Sequence, residues 1–209
     1  MIGRLGAASG LVAVVLVFLS SGVFAGPQSS PDDPDSVVLS ELMESGADAS
    51  GSTQIAMLAV PFLVAFGGFV ADRFRRHGVA GWVGSTFLAG SAFLGVAMML
   101  IGGVGQMAST LGDGPGAEGI ARFIVVFGWN STTLFTPAIL AMGAMAAVAT
   151  FSAGALPKAL GYGAAVVALS SLTPWIGILV LALWIAIASL VLTISRPAMD
   201  TAVRPMADV

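Results

Sequence analysis

Polar side chains that could hold a ligand cluster in only one of the apolar segments of this chain. Asn130, Thr133 and Pro137 recur at helical spacing, so they fall on one face of a predicted helix. Pro137 cannot donate a backbone hydrogen bond and therefore frees a carbonyl near Thr133. Two interpretations stay open. These candidate ligand-facing residues line a small cavity that opens outward, or they make hydrogen bonds to a neighbouring helix.

Groups for catalysis or metal binding are missing from the centres of the apolar segments. No Asp, Glu, Lys, Arg or His lies there, His77 is the only histidine, and the chain has no cysteine. A hydrolase needs a nucleophile beside a base, and zinc or haem sites are usually built from His or Cys. We therefore expect no catalytic residue, no metal site and no cofactor, and we expect that the protein is not an enzyme.

Two polar turns have simpler explanations than ligand binding. The loop Gly112–Gly119 resembles a phosphate-binding loop only in its glycine content, because it lacks the Lys-Ser/Thr pair and follows no predicted strand. The basic turn Asp72–His77 is short, and its basic residues predict orientation in the membrane and attraction to anionic lipid. Neither turn indicates binding to a nucleotide or to nucleic acid.

The composition indicates that lipid surrounds the helices that carry these residues. The chain has 209 residues, of which 57% are hydrophobic and 9% are charged. A soluble domain carries about 25% charged residues, so this chain has too few to cover a surface that faces water. An apolar run of about 20 residues spans the hydrocarbon core of a bilayer as a helix. The predicted spans are Leu5–Ala25, Gln54–Ala71, Val79–Val104, Ile120–Thr150, Leu156–Leu172 and Pro174–Ile194.

The basic residues predict how the spans are threaded. If the N-terminus is cytoplasmic, every Lys and Arg except Arg122 falls on the cytoplasmic side, and the acids between Asp32 and Asp48 fall outside. This is the positive-inside pattern, and it supports an even number of spans. The fold class is therefore all-α, a single polytopic transmembrane domain. We expect an up-and-down bundle of six spans with both termini cytoplasmic, in the inner (plasma) membrane.

An alternative concerns the first span. The residues Val23-Phe24-Ala25 before Gly26 have the spacing of small side chains that signal peptidase recognises, and one Arg and an apolar stretch precede them. Cleavage there would leave five spans. The apolar run is longer than a usual signal-peptide core, so we favour an uncleaved helix.

The longest polar segment, residues 26–53, is predicted to be external and acidic. Asp33 and Pro34 suit the start of a short helix, and Val38 and Leu42 recur at helical spacing. The pattern fits an amphipathic helix that lies on the mouth of the bundle or on lipid headgroups. It fits a solvated acidic loop with some local helix equally well.

Small residues recur along several spans, where they let helix backbones approach closely. The third span carries Gly81, Ser85 and Ala89, and the fifth carries Gly161 and Ala165. We expect these stripes to pack inside the bundle, with contact between two copies as the alternative.

This layout resembles a loose group of uncharacterised six-helix membrane proteins that are common in high-GC bacteria. The resemblance rests on Arg4-Leu5-Gly6-Ala7-Ala8 at the first helix, on the basic turn after the second helix, and on Leu156–Gly161 before the fifth. It implies a fold and a membrane location, and it transfers no activity and no site residue.

Two functions follow as expectations. The first is a non-enzymatic membrane protein that acts by association, as an accessory or scaffolding subunit, with a membrane-protein partner or a second copy. The second is binding or transport of a small neutral or apolar molecule, or of a lipid, at the face that carries Asn130.

Overall fold

The computed structural model describes residues 2–20 and 29–194, and every regular element within them is a helix. This confirms the predicted all-α class for that part of the chain. The helices are α1 Ile2–Leu19, α2 Asp35–Arg76, α3 Gly81–Ser109, α4 Ala117–Ser131, a 3-10 helix Thr132–Phe135, α5 Thr136–Ala153, α6 Lys158–Ser170 and α7 Pro174–Ile194.

The second helix is far longer than the predicted span. It has 42 residues, about 63 Å at 1.5 Å per residue, so the expected short outer helix and the second span are one continuous rod. Pro34 is the N-cap and Asp35 the first helical residue, so the helix begins one residue later than the predicted start at Pro34. The Asp33 carboxylate accepts a hydrogen bond from the backbone N–H of Ser30 at 2.6 Å. The polar stretch before Gln54 does not end the helix.

The predicted fourth span is interrupted just before Pro137. The 3-10 helix Thr132–Phe135 separates α4 from α5. Pro137 has no N–H to offer the carbonyl of Thr133, and the N–H of Thr136 binds that carbonyl instead, three residues along. The chain therefore tightens for one turn before α5 begins.

Buried apolar side chains form two separate clusters, and these divide the molecule into two layers. We call the first the core layer: α1, residues 53–76 of α2, residues 81–102 of α3, α5, α6 and α7. We call the second the cap: residues 29–44, residues 104–111 and α4, which meet around Val38, Leu42, Ala108, Ala121 and Ile124.

Glycine lets the helices of the core layer touch. A Cβ built on Gly143 of α5 would lie 2.5 Å from the backbone nitrogen of Ala168 and 2.8 Å from the carbonyl oxygen of Ala164, both in α6. Gly10 of α1 meets Phe66 and Ser189 as closely. Such contacts replace the hydrophobic drive that lipid does not supply.

The predicted small-residue stripes are confirmed on α6 and wrong on α3. Gly161 is buried against Thr150. On α3, by contrast, Gly81, Ser85 and Ala89 are exposed. The glycines of α3 that contact other helices lie at other positions: Gly84, Gly90, Gly95 and Gly102.

Four helical stretches in the described residues are long and apolar enough to span a membrane: Thr53–Arg76, Gly81–Ser109, Ala117–Ala153 and Pro174–Ile194. The other two apolar helices are shorter. The predicted fifth span begins only at Lys158 after Pro157 and ends at Ser170, so its 13 residues reach about 20 Å. The predicted end of the first span, Ala25, lies outside the described residues.

Candidate functional site

The three residues predicted to face a ligand lie together on the outside of the bundle. Asn130, Thr133 and Pro137 are all exposed. The Asn130 side chain donates a hydrogen bond to the carbonyl of Val126 at 2.8 Å, and the Thr133 hydroxyl donates one to the carbonyl of Asn130 at 2.7 Å. Their polar groups therefore bind their own helix. Ligand binding there stays a prediction.

The strongest polar cluster in the described residues lies at the start of the cap and centres on Arg122 of α4. Its Nε donates to the Asp35 carboxylate at 2.7 Å, and an Nη atom makes an ion pair with the same oxygen. Its guanidinium also donates to the carbonyl oxygens of Asp33, at 2.7 Å, and of Pro31. One guanidinium thus fastens the residues that precede α2 to α4, and we call this cluster the Arg122 clamp.

The clamp holds because guanidinium groups present several N–H donors in a fixed plane. Two of the four bonds go to backbone carbonyls of Pro31 and Asp33, which precede α2 and so need a partner from outside the helix. Nearby, the indole N–H of Trp129 donates to the carbonyl of Ser29 at 3.2 Å, and the Ser29 hydroxyl donates to Glu41. The segment 29–35 is therefore tied down at both ends.

Sequence reasoning missed this clamp. It placed Arg122 at a helix end and assigned it no partner. A signal was present, because Arg122 is the one Lys or Arg on the predicted outer side, and most of the acids of the chain fall on that side as well. A lone cation among carboxylates can be expected to bind one of them.

The outward face of α4 is apolar, like the inward face that packs in the cap. Ile120, Phe123, Val126 and Trp129 are exposed by 43%, 50%, 40% and 53%. A surface helix normally carries polar residues on the face that it turns away from the core. The cap therefore presents an apolar surface that no described residue covers.

The opposite end of the molecule carries basic residues that make local contacts. Arg73 donates from Nε to the carbonyl of Ala155 at 2.8 Å and so joins α2 to the turn before α6. Arg76 pairs with Asp72 one turn earlier, at 2.7 Å, and both are exposed. Within residues 2–20 and 29–194, no group of three His, Cys, Asp or Glu residues is placed to hold a metal ion.

The relative heights of the two layers follow from the helix directions. The helices α2 and α4 both begin at the Arg122 clamp and run the same way, and their side chains meet in the cap cluster. Gly90 of α3 lies against Ala138 and Ala141 of α5, and Gly102 of α3 lies against Thr53. Counting these twelve residues back from α5 brings Thr53 level with the last turn of α4. Exposed Gln54, Asn130 and Thr133 thus form a polar belt at the junction of the layers.

The chain matches no protein-family model, no curated protein and no solved structure.

Proposed function

We propose that this protein is a membrane protein with six crossings that acts by association, as an accessory or scaffolding subunit, and not by catalysis. The observation that carries this proposal is the division into two layers. One layer has the thickness of a bilayer core, and its charged residues all lie towards one end: Arg4, Asp72, Arg73, Arg75, Arg76 and Lys158. The other projects beyond it and offers an uncovered apolar surface.

The dimensions of the core layer support its place in the bilayer. Its helices α5 and α7 have 18 and 21 residues, or about 27 and 31 Å, close to the hydrocarbon thickness of about 30 Å. The polar belt of Gln54, Asn130 and Thr133 marks one boundary. Trp82 and Tyr162, with Arg75 and Arg76, mark the other, and all four are exposed.

Six crossings require α1 and α6 to span as well. Both are shorter than the bilayer core, and a bilayer accommodates short spans by local thinning at a modest cost. Both termini then lie on the side that carries Arg75, Arg76 and Lys158. The positive-inside rule makes that side cytoplasmic, and the resemblance to bacterial proteins suggests a plasma membrane.

Transport of a neutral molecule or lipid has weaker support. Asn130 and Thr133 bind carbonyls of their own helix, and they lie on the outside of the bundle. No contact in the described residues favours a ligand at that face.

Native purification tests the proposal. The full chain, tagged at its C-terminus and expressed in its own cells, is crosslinked in intact membranes and then extracted in mild detergent. We expect a complex larger than the 21.0 kDa chain, with a partner in fixed stoichiometry. Repeated recovery of the bare monomer, with and without crosslinker, would contradict association.

A further inference from the structure

We propose that the outward face of α4 docks a partner protein through an apolar segment that carries Lys or Arg beside it. This inference rests on the proposed function and names the surface and the chemistry of the partner. The surface consists of Ile120, Phe123, Val126 and Trp129, with Asp113 and Glu118 at its upper end. We call it the α4 face.

The first step is the chemistry of the face. Phe123 and Val126 lie opposite Ala121, Ile124 and Val125, which are buried in the cap cluster, and Ile120 and Trp129 flank them on either side. The rings of Phe123 and Phe127 pack 5.9 Å apart and extend the patch around the helix. Contiguous apolar surface of this kind on a projecting element marks an interaction site, and aromatic residues dominate the energetics of such sites.

The second step is the height of the face. Asn130 of the polar belt lies in the last turn of α4, and Ile120 and Phe123 precede it by ten and seven residues, so they stand about 15 and 10 Å beyond the belt, on the side away from the core layer. The 15 residues of α4 rise about 22 Å. Lipid chains that reached Ile120 on α4 would also have to cover the carboxylates of Glu41 and Glu44 on the neighbouring α2, which is costly. A protein partner covers the apolar face without that cost.

The third step is charge. Among the described residues, Asp113 and Glu118 are exposed and make no ion pair. Arg122, the cation of the cap, is already bound to Asp35 and to two carbonyls. A second copy docked face to face would bring its own carboxylates against these two. A partner with Lys or Arg beside its apolar segment would instead find opposite charges, and charge complementarity of this kind selects between partners.

Site-specific photocrosslinking identifies what touches the face. A photoreactive phenylalanine analogue replaces Phe123 in the full chain, which is irradiated in the membranes of its own cells. Leu183, which is 61% exposed in the middle of α7, takes the same analogue as the control for lipid contact. A second position, Val126, guards against a folding defect of the first variant.

We expect Phe123 and Val126 to crosslink to the same protein, at a peptide in which apolar residues adjoin Lys or Arg, and Leu183 to give lipid adducts. The double variant Asp113→Lys, Glu118→Lys should lower the yield at Phe123 roughly fivefold, because two exposed charge pairs are lost. High salt should also lower the crosslinking yield at Phe123 when Asp113 and Glu118 are unchanged.

Other outcomes would overturn the inference. Crosslinks to a second copy would make the face a homodimer contact, and lipid adducts at Phe123 would place it in the bilayer. A crosslinked peptide without basic residues, or a yield unchanged by the double variant, would refute the stated chemistry. Association could still hold in each case, because the native complex of the preceding experiment is scored separately. If no native complex is recovered but Phe123 still crosslinks to a protein, the proposed association fails while the inference about the α4 face stands.

Discussion

In the core layer, helices meet through glycine and alanine, and backbone atoms of one helix touch the next, as at Gly143 and Ala168. In the cap, helices meet through a guanidinium that binds a carboxylate and two carbonyls, beside a small apolar cluster. The surroundings proposed for the two layers account for the difference. Lipid gives no hydrophobic drive for helices to associate, so close packing has to replace it, whereas an exposed cap can use charge and apolar burial. The predictions below test this contrast, in order of expected effect.

The largest effect should come from one methyl group in the core layer. Gly143→Ala places a Cβ against backbone atoms of Ala164 and Ala168, which cannot move without separating α5 from α6. We expect a loss of about 3 kcal/mol in the free energy of unfolding, at the upper end of overpacking costs. Denaturant titration of the protein in detergent, followed by tryptophan fluorescence, measures it.

The matched control is Gly103→Ala, since Gly103 lies on α3 with open space where the Cβ would go. It should leave stability unchanged or slightly higher, because alanine favours helix over glycine. If the two substitutions changed the free energy of unfolding equally, close packing would not be what holds the core layer together.

The next effect should be confined to the cap. Arg122→Gln removes the clamp on the segment before α2 and should cost roughly 1–3 kcal/mol locally, the range for hydrogen bonds to charged groups. Hydrogen exchange should speed up in residues 29–44 and stay unchanged in α5. Arg122→Lys keeps the charge and loses the planar fork, so it should behave nearly like Arg122→Gln. Full protection in the lysine variant would mean that charge alone holds the cap.

A smaller effect is expected at the one indole that binds a backbone carbonyl inside the core layer. Trp184 donates from Nε1 to the carbonyl of Leu160 at 2.9 Å and is buried. Trp184→Phe should cost about 1 kcal/mol, because the carbonyl keeps its place in the helix and loses only this extra donor. Exposed Trp175→Phe is the control and should change thermal stability in detergent very little. A larger loss at Trp175 than at Trp184 would contradict a stabilising role for the bond between Trp184 and Leu160.

The smallest effect tests a hydroxyl without a partner. Ser189 is 1% exposed, and its oxygen has no hydrogen-bond partner among the described residues. Ser189→Ala should therefore leave the stability of the core layer unchanged or raise it by up to about 1 kcal/mol, since an unsatisfied buried group is removed. Ser91→Ala, which removes a hydroxyl bound to the carbonyl of Leu88, should be the more destabilising of the two. The opposite order in thermal unfolding would show that Ser189 has a partner in the membrane.

The sequence predicts the core layer better than the cap. A continuous apolar run predicts α7 at Pro174–Ile194, as the structure has it, and proline suits the first position of a helix. The continuity of α2 could not be predicted, since its polar residues before Gln54 favour a loop when taken alone. Val38 and Leu42 of that stretch are buried in the cap cluster with residues of α3 and α4, and this burial favours a helix there. Likewise Gly81 and Gly84 look alike in sequence, and only the direction of α3 decides which one meets Ala71.

The residues of the candidate site divide in the same way. Asn130, Thr133 and Pro137 were expected to share a face, and all three are exposed on the outside of the bundle. The partner of Arg122 lies far away along the chain, and no local pattern names it. Contacts of this kind arise from the fold, so sequence reasoning can indicate that a lone cation needs a carboxylate without saying which.

The most direct test of the two-layer arrangement is the depth of one exposed residue from each layer. The chain has no cysteine, so Val126→Cys and Leu183→Cys each carry a single nitroxide label on the protein in nanodiscs, without any partner. Accessibility to oxygen and to a water-soluble nickel complex reports the depth of the label. The account predicts that the label at Val126 meets the nickel complex and that the label at Leu183 meets oxygen. Equal burial of both labels in hydrocarbon would contradict it.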